Sequence, residues 1–243
     1  MEEAVSLPAS EPKDQVRPGL TAKISVDSKT LTVLTVHLKS SCVSPLENMA
    51  SNPDKGKLEK SDPHCQILQK QVKPLESWIE AQSADGAFVM LGDFNRNLHH
   101  EMNSIAPDQI RVDGSDAKTA LPDGVLVRSL MGELNDGEPV HSAMTLAPSE
   151  CVLSAELQAI CERAKIEALS RDELKPLTRS DGLGCRNPVG LDHVLLGSGV
   201  AIDGKASKVP LGKLGGTRPA SGEFPNPLLA LSDHCPMIAK VKF

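Results

Sequence analysis

Met90-Leu91-Gly92-Asp93-Phe94-Asn95 is the stretch on which the reading of this chain turns. It closes a short apolar run, Phe88-Val89-Met90-Leu91, which reads as a buried strand. Gly92 permits a sharp turn or a close backbone approach at its end. Asp93 and Asn95 stand two residues apart, so on an extended backbone they point the same way. Asp93 offers carboxylate oxygens, and Asn95 a carbonyl oxygen and an amide donor. Such a pair suits a hard cation or a phosphate at the point where a strand leaves a sheet. The same spacing also makes a plain turn. Its meaning therefore depends on what stands at the other strand ends.

The 243 residues suit one large domain or two small ones. Apolar residues make up 40% of the chain, enough for a sizeable core. With four Phe, one Trp and no Tyr, that core must be built from Leu, Val, Ile, Ala and Met. A net charge of -6 gives no general attraction to nucleic acid, so any nucleic-acid chemistry must run through a local site and a bound metal. No apolar run approaches the length of a membrane span. Met1-Glu2-Glu3 is acidic and lacks the basic and apolar regions of a signal peptide. The absence of any Cys-x-x-Cys among the six cysteines argues against a zinc ribbon or a thioredoxin-type site.

Outward from the Phe88 strand, residues 1–18 read as an irregular lead-in with Pro8, Pro12 and Pro18. Leu20, Ala22, Ile24 and Val26 alternate with polar residues as in a half-buried strand. After a turn at Asp27-Ser28-Lys29, Leu31 to Val36 reads as a central strand ending in His37, and the two strands form a hairpin. Residues 44–61 read as a long exposed loop. Asp62-Pro63 opens a helix whose Leu68, Val72, Leu75 and Ile79 share a face, with Pro74 placed to kink or split it. A short helix after Asn95 carries His99 and His100, which as neighbours point apart and make a poor metal clamp. Strands are expected near Val125-Leu126-Val127 and from Val140 to Leu146. An amphipathic helix follows from Ser154 to Leu169, then a polar loop from Arg171 to Pro188. Leu191-Asp192-His193-Val194-Leu195-Leu196 reads as a buried strand opened by an acid, which is costly to bury unpaired. A weak strand at Val200-Ala201-Ile202 and a long loop precede Ser232-Asp233-His234-Cys235-Pro236 and a last strand from Met237 to Phe243. The whole predicts a mixed α/β sheet.

His37, Asp93 with Asn95, Asp192, and Asp233 with His234 all flank apolar runs. Polar groups at strand ends of an open α/β sheet converge in one crevice. Two His, three Asp and an Asn make a kit for metal-assisted phosphoryl chemistry. A carboxylate holds the cation, a His works as base, and another carboxylate fixes its tautomer.

In their order, Val36-His37-Leu38, Gly92-Asp93-Phe94-Asn95, Leu191-Asp192-His193 and Ser232-Asp233-His234-Cys235-Pro236 resemble the motifs of the endonuclease/exonuclease/phosphatase (deoxyribonuclease I-like) superfamily. Bacterial members share Arg17-Pro18-Gly19-Leu20, His37-Leu38-Lys39-Ser40 and the helix from Cys65 to Trp78. The resemblance implies a four-layer α/β sandwich of two packed mixed sheets and a metal-dependent phosphodiesterase, foremost a nuclease acting on nucleic acid. Phospholipid and inositol-phosphate substrates are the alternatives. It also implies roles. His234 is the base that activates water, Asp192 orients it, and Asp93 and Asn95 bind phosphate, metal or nucleophile. Asp233 is a metal ligand and His37 stabilises or protonates at the phosphoryl group. The cofactor is Mg²⁺ or Mn²⁺. Lys39, Arg96 and Arg186 are candidates for phosphate contacts, or else solvated charges.

One departure matters. The superfamily carries an Asn on its first strand and a metal-binding Glu on the next, well before the His37 motif, and neither has a match here. Residues 19–243 are therefore expected to be the C-terminal portion of such a domain, with low activity or none in isolation, or a remnant with a binding role. Cys42 follows the His37 strand and Cys65 opens the helix after the long loop, so a Cys42–Cys65 bridge would staple that loop; Cys185 is expected to pair with Cys151 or Cys161, with Cys235 in the core. That pattern points to a secreted or periplasmic protein. The alternative is six reduced thiols in the cytoplasm.

Overall fold

The computed structural model describes residues 2–3, 16–42, 58, 62–104, 129–135, 143–167, 169–185, 188–214 and 232–243, with backbone alone at 2–3 and 103–104. The expected strand at Val125-Leu126-Val127, nearly all of the 44–61 loop, and Arg186 lie outside the described residues.

Mixed α/β architecture is confirmed. The sheet holds six strands in the order β1-β2-β3-β4-β7-β5. These are β1 (Glu2–Glu3), β2 (Leu20–Val26), β3 (Lys29–His37), β4 (Ala87–Asp93), β5 (Thr145–Leu146) and β7 (Asp192–Leu196). β2 and β3 form the expected antiparallel hairpin, β3 and β4 run parallel, and β7 returns antiparallel to β4. Inside the expected lead-in, Glu2–Glu3 adds an edge strand against Leu20 and Thr21. A three-stranded sheet joins β6 (Ser149–Cys151), β9 (Ala206–Lys208) and β10 (Met237–Ile238), and β8 (Ala201–Ile202) pairs with β11 (Val241–Lys242). The single last strand expected over Met237 to Phe243 is thus two short strands with different partners.

Helix α1 (Pro63–Asp85) is capped by Asp62, whose Oδ1 accepts from the backbone N–H groups of His64 and Cys65 at 2.8 and 3.3 Å. It runs through Pro74 as one 23-residue helix. Its Leu68, Val72, Leu75 and Ile79 are buried against Leu34, Val36, Phe88 and Met90 of the sheet. Trp78 meets Phe88 edge-on at 5.7 Å and donates its indole N–H to Thr21 at 3.0 Å. Helices α2 (Leu98–Ser104) and α3 (Leu130–Leu134) complete this side.

The opposite face carries Leu31, Val33, Val89, Val194 and Leu196, packed by Ile202, Met237, Val241 and Phe243. That cover is partial. Leu20, Ile24 and Val26 of β2, read as core-facing, are 42%, 48% and 53% exposed, so the sheet keeps an open apolar trough of about 630 Å³. Period-two alternation tells which residues share a face, but not whether anything covers it.

A third cluster gathers around α4 (Ala155–Ile166) and α5 (Arg171–Thr178). The latter was expected as loop. Its sign was a Ser-x-x-Glu capping box, in which Ser170 and Glu173 cap each other reciprocally. Three disulfides pin the chain: Cys42–Cys65 as expected, then Cys151–Cys161 and Cys185–Cys235. The pairing of Cys185 is a correction. Cys151 and Cys161 sit on neighbouring β6 and α4 and close on each other, which leaves Cys185 for the buried Cys235. No helix is long and apolar enough to cross a membrane among the described residues.

Candidate functional site

Strand register builds the site. His37 pairs with Asp93 across β3 and β4, and Asp93 pairs with Asp192 across β4 and β7, so three polar residues stand in one row at one end of the sheet. Alternation aims them alike. His37 shares its face with Leu31 and Val33, Asp93 with Val89 and Leu91, and Asp192 with Val194 and Leu196, all on the trough side. His193, one residue on, turns to the helix side, where it is buried against Phe94 and His99. Backbone bonds beyond the strands hold the row, from Leu38 N–H to Asp93 O at 2.9 Å and from Phe94 N–H to Leu191 O at 2.8 Å.

The Asp93-Phe94-Asn95 segment is both a turn and a site. Asn95 takes a left-handed φ of +53° and donates its backbone N–H to Asp93 Oδ1 at 2.7 Å. Its side-chain amide donates to Asp93 Oδ2 at 3.1 Å and to Leu38 O at 2.9 Å. Gly92 precedes it at φ +136°, with its Cα pressed on the Val36 backbone.

His234 comes from far along the chain. Ser232 Oγ accepts the backbone N–H of His234 at 3.0 Å, and the adjoining Cys235 is bonded to Cys185. His234 Nδ1 lies 3.2 and 3.1 Å from the two Asp192 oxygens. A carboxylate only accepts, so the proton of this bond sits on Nδ1. Nε2 faces Asp93 Oδ2 across 4.0 Å, a spacing suited to a bridging water rather than a direct bond. His37 Nε2 approaches the same oxygen at 3.6 Å. Arg17 lies against this ring with Nη1 on Nδ1, and because a guanidinium only donates, Nδ1 accepts.

Charges follow from these contacts. Burial pushes Asp93 above its ordinary range, only partly offset by the Asn95 N–H and the nearby His234. Burial also pushes on Asp192, but the His234 bond and the Lys208 ammonium outweigh it and hold this carboxyl low. The bond to Asp192 raises His234 against its own burial, with Asp93 and Asp233 adding to the effect.

Asp93, Asp192 and His234 each offer a ligand atom within 4.8 Å of the others. Asp93 and Asp192 supply the carboxylate oxygens of that group, a donor type that suits a hard cation, and Asn95 stands beside it with its amide on Asp93 Oδ2. Asp233, expected as a metal ligand, is exposed and lies outside the group. Arg96 is no phosphate contact. It is fully buried, paired with Glu101, and donates to Cys42 O at 3.0 Å. His99 and His100 do part, to Ser149 Oγ at 3.0 Å and to Ala164 O at 2.8 Å. Two site residues escaped sequence reasoning, Arg17 and Lys208. The trace of Lys208 was a lysine two residues after Ala206, on the inward face of a short strand.

No protein-family model, no curated protein and no solved structure is matched by this chain.

Proposed function

We propose that the chain is a divalent-metal-dependent phosphodiesterase of deoxyribonuclease I-like fold, exported from the cytoplasm, with nucleic-acid phosphodiester bonds as substrate. The observation that carries this reading is the Asp192–His234 pair, at 3.1 Å, facing Asp93 at the end of one sheet. Asp192 holds the imidazole with its proton on Nδ1. His234 Nε2 then takes the proton of a water lying between it and Asp93. His37, with Nδ1 occupied by Arg17, turns an Nε2–H toward the phosphoryl oxygens and stabilises the charge that grows there. Asn95, held by Leu38 O and Asp93, keeps the Asp93 carboxylate in one orientation. Asp93 and Asn95 would hold Mg²⁺ or Mn²⁺, which supplies Lewis-acid stabilisation of the phosphate when bound. Three disulfides support an oxidising compartment, secreted or periplasmic.

The test is nicking of supercoiled plasmid by the purified chain with Mg²⁺ or Mn²⁺, beside EDTA. The expected result is metal-dependent nicking, weak because the superfamily's metal-binding Glu has no match here, and reduced roughly 10²–10⁴-fold further in His234→Ala. A folded chain that leaves plasmid, RNA and phospholipid diesters intact at every metal concentration would refute the reading and favour a remnant without catalysis.

A further inference from the structure

Lys208 sits on β9, where alternation puts Ala206 and Lys208 on the inner face, and both are buried. An ammonium taken out of water is costly unless an anion compensates it. Its Nζ lies 3.4 Å from Asp192 Oδ2, the same oxygen that lies 3.1 Å from His234 Nδ1. β9 is gripped on both sides, with Lys208 in register with Met237 of β10 and Cys151 of β6. Val209 N–H also donates to Pro236 O at 2.8 Å, two residues from His234. One small sheet thus fixes both ends of the row Lys208–Asp192–His234.

We propose that Lys208 is a positioning residue: it holds the Asp192 carboxylate toward His234, and so keeps the imidazole proton on Nδ1 and the Nε2 lone pair facing Asp93. The catalytic consequence rests on the phosphodiesterase reading, whereas the positioning itself does not. A surface lysine would be screened by water and do this weakly. At 4% exposure the ammonium acts at close range with little screening. Without it, Asp192 is free to turn to solvent and no longer fixes the tautomer of His234.

The experiment compares the wild-type chain with Lys208→Met, Asp192→Asn and the double variant. One readout is the long-range ¹⁵N–¹H spectrum of the metal-free chain, with the His234 signal assigned by its loss in His234→Gln. The other is kcat and KM for plasmid nicking. Expected are an Nδ1–H tautomer in the wild type and its loss in Lys208→Met. With it, kcat should fall roughly 10- to 100-fold at little change in KM. The double variant should be no worse than Asp192→Asn, because Lys208 acts through Asp192. An unchanged tautomer in Lys208→Met, or losses that multiply in the double variant, would overturn the proposal. If Lys208→Met fails to fold, a folded double variant supports the pairing, and an unfolded one shows that Lys208 serves packing alone. A tautomer that responds in a chain without nuclease activity overturns the functional reading and leaves the positioning role standing. An active wild type with an indifferent Lys208→Met does the reverse.

Discussion

Gly92→Ala should wedge apart the two strands that carry His37 and Asp93. Gly92 pairs with Val36 in the parallel β3–β4 register, one residue before the row of the site. A Cβ built there would stand 2.1 Å from Val36 O and 3.0 Å from Val36 N, at a φ of +136°. Strained backbone of this kind costs about 1–3 kcal/mol. Relieving the contact needs the strands to part by about 1 Å, and overpacking of this size adds about 1–3 kcal/mol. The sum, about 2–6 kcal/mol, is a large part of a domain's typical stability of about 5–15 kcal/mol. Gly86 is the internal control. Its φ is +132°, but a Cβ there meets nothing within 4 Å, so Gly86→Ala carries the backbone cost alone. Urea unfolding followed by circular dichroism, with equal m-values, should place Gly92→Ala below Gly86→Ala by at least about 1 kcal/mol. Under conditions where it stays folded, Gly92→Ala should also lose nicking activity about 10²-fold, since a shift of about 1 Å spoils the reacting geometry. Equal losses in the two variants would refute the argument that close strand approach, rather than backbone conformation, selects glycine at position 92.

Two further outcomes follow from the same structure. Opening Cys185–Cys235, by Cys185→Ala with Cys235→Ala, removes a cross-link over 50 residues and should cost about 4 kcal/mol in denaturant unfolding. Opening Cys151–Cys161, over 10 residues, should cost about 3 kcal/mol, so a larger loss for the short link would contradict the loop-closure account. Acid should destabilise the fold through His99 and His193, which burial lowers from 6.5 to about 4 and about 3. The unfolded chain binds these protons first, so stability is full above about pH 6.5 and falls as pH drops toward the folded values. In His99→Gln the slope of stability against pH between about 6 and 4.5 should be shallower by about 1.4 kcal/mol per pH unit. An unchanged slope would sink that assignment.

Much of the sheet was legible because its signals are local. Leu31 to Val36 and Phe88 to Leu91 are β-branched or apolar runs closed by polar residues, and both are strands. Asp62-Pro63 marked the start of α1 by capping chemistry that acts within four residues. Of the site, His37, Asp93, Asn95, Asp192 and His234 are legible in the sequence as polar residues at strand ends and lie together, while Asp233 does not join them. Failures came where a signal was weak or non-local. Helix α5 was hidden by Pro176 and its polar composition, despite the Ser170–Glu173 box. The two-strand split after Pro236 reflects separate partners, β9 for Met237–Ile238 and β8 for Val241–Lys242, which no periodicity contains.

By itself the sequence determined which residues end the strands, His37, Asp93 and Asp192 among them, and, through the two-residue period, which residues within each strand share a face. Those are properties of a short backbone segment and of side-chain alternation. Only the tertiary structure decided what meets that row. Chain closure brings His234 to Asp192 from 42 residues away and Lys208 from 16. It joins Cys185 to Cys235, lays Arg17 on His37, and leaves Leu20, Ile24 and Val26 of β2 about half exposed. Such contacts depend on how sheets and loops pack across long separations, where many pairings satisfy the same local pattern and only their joint packing energy selects one.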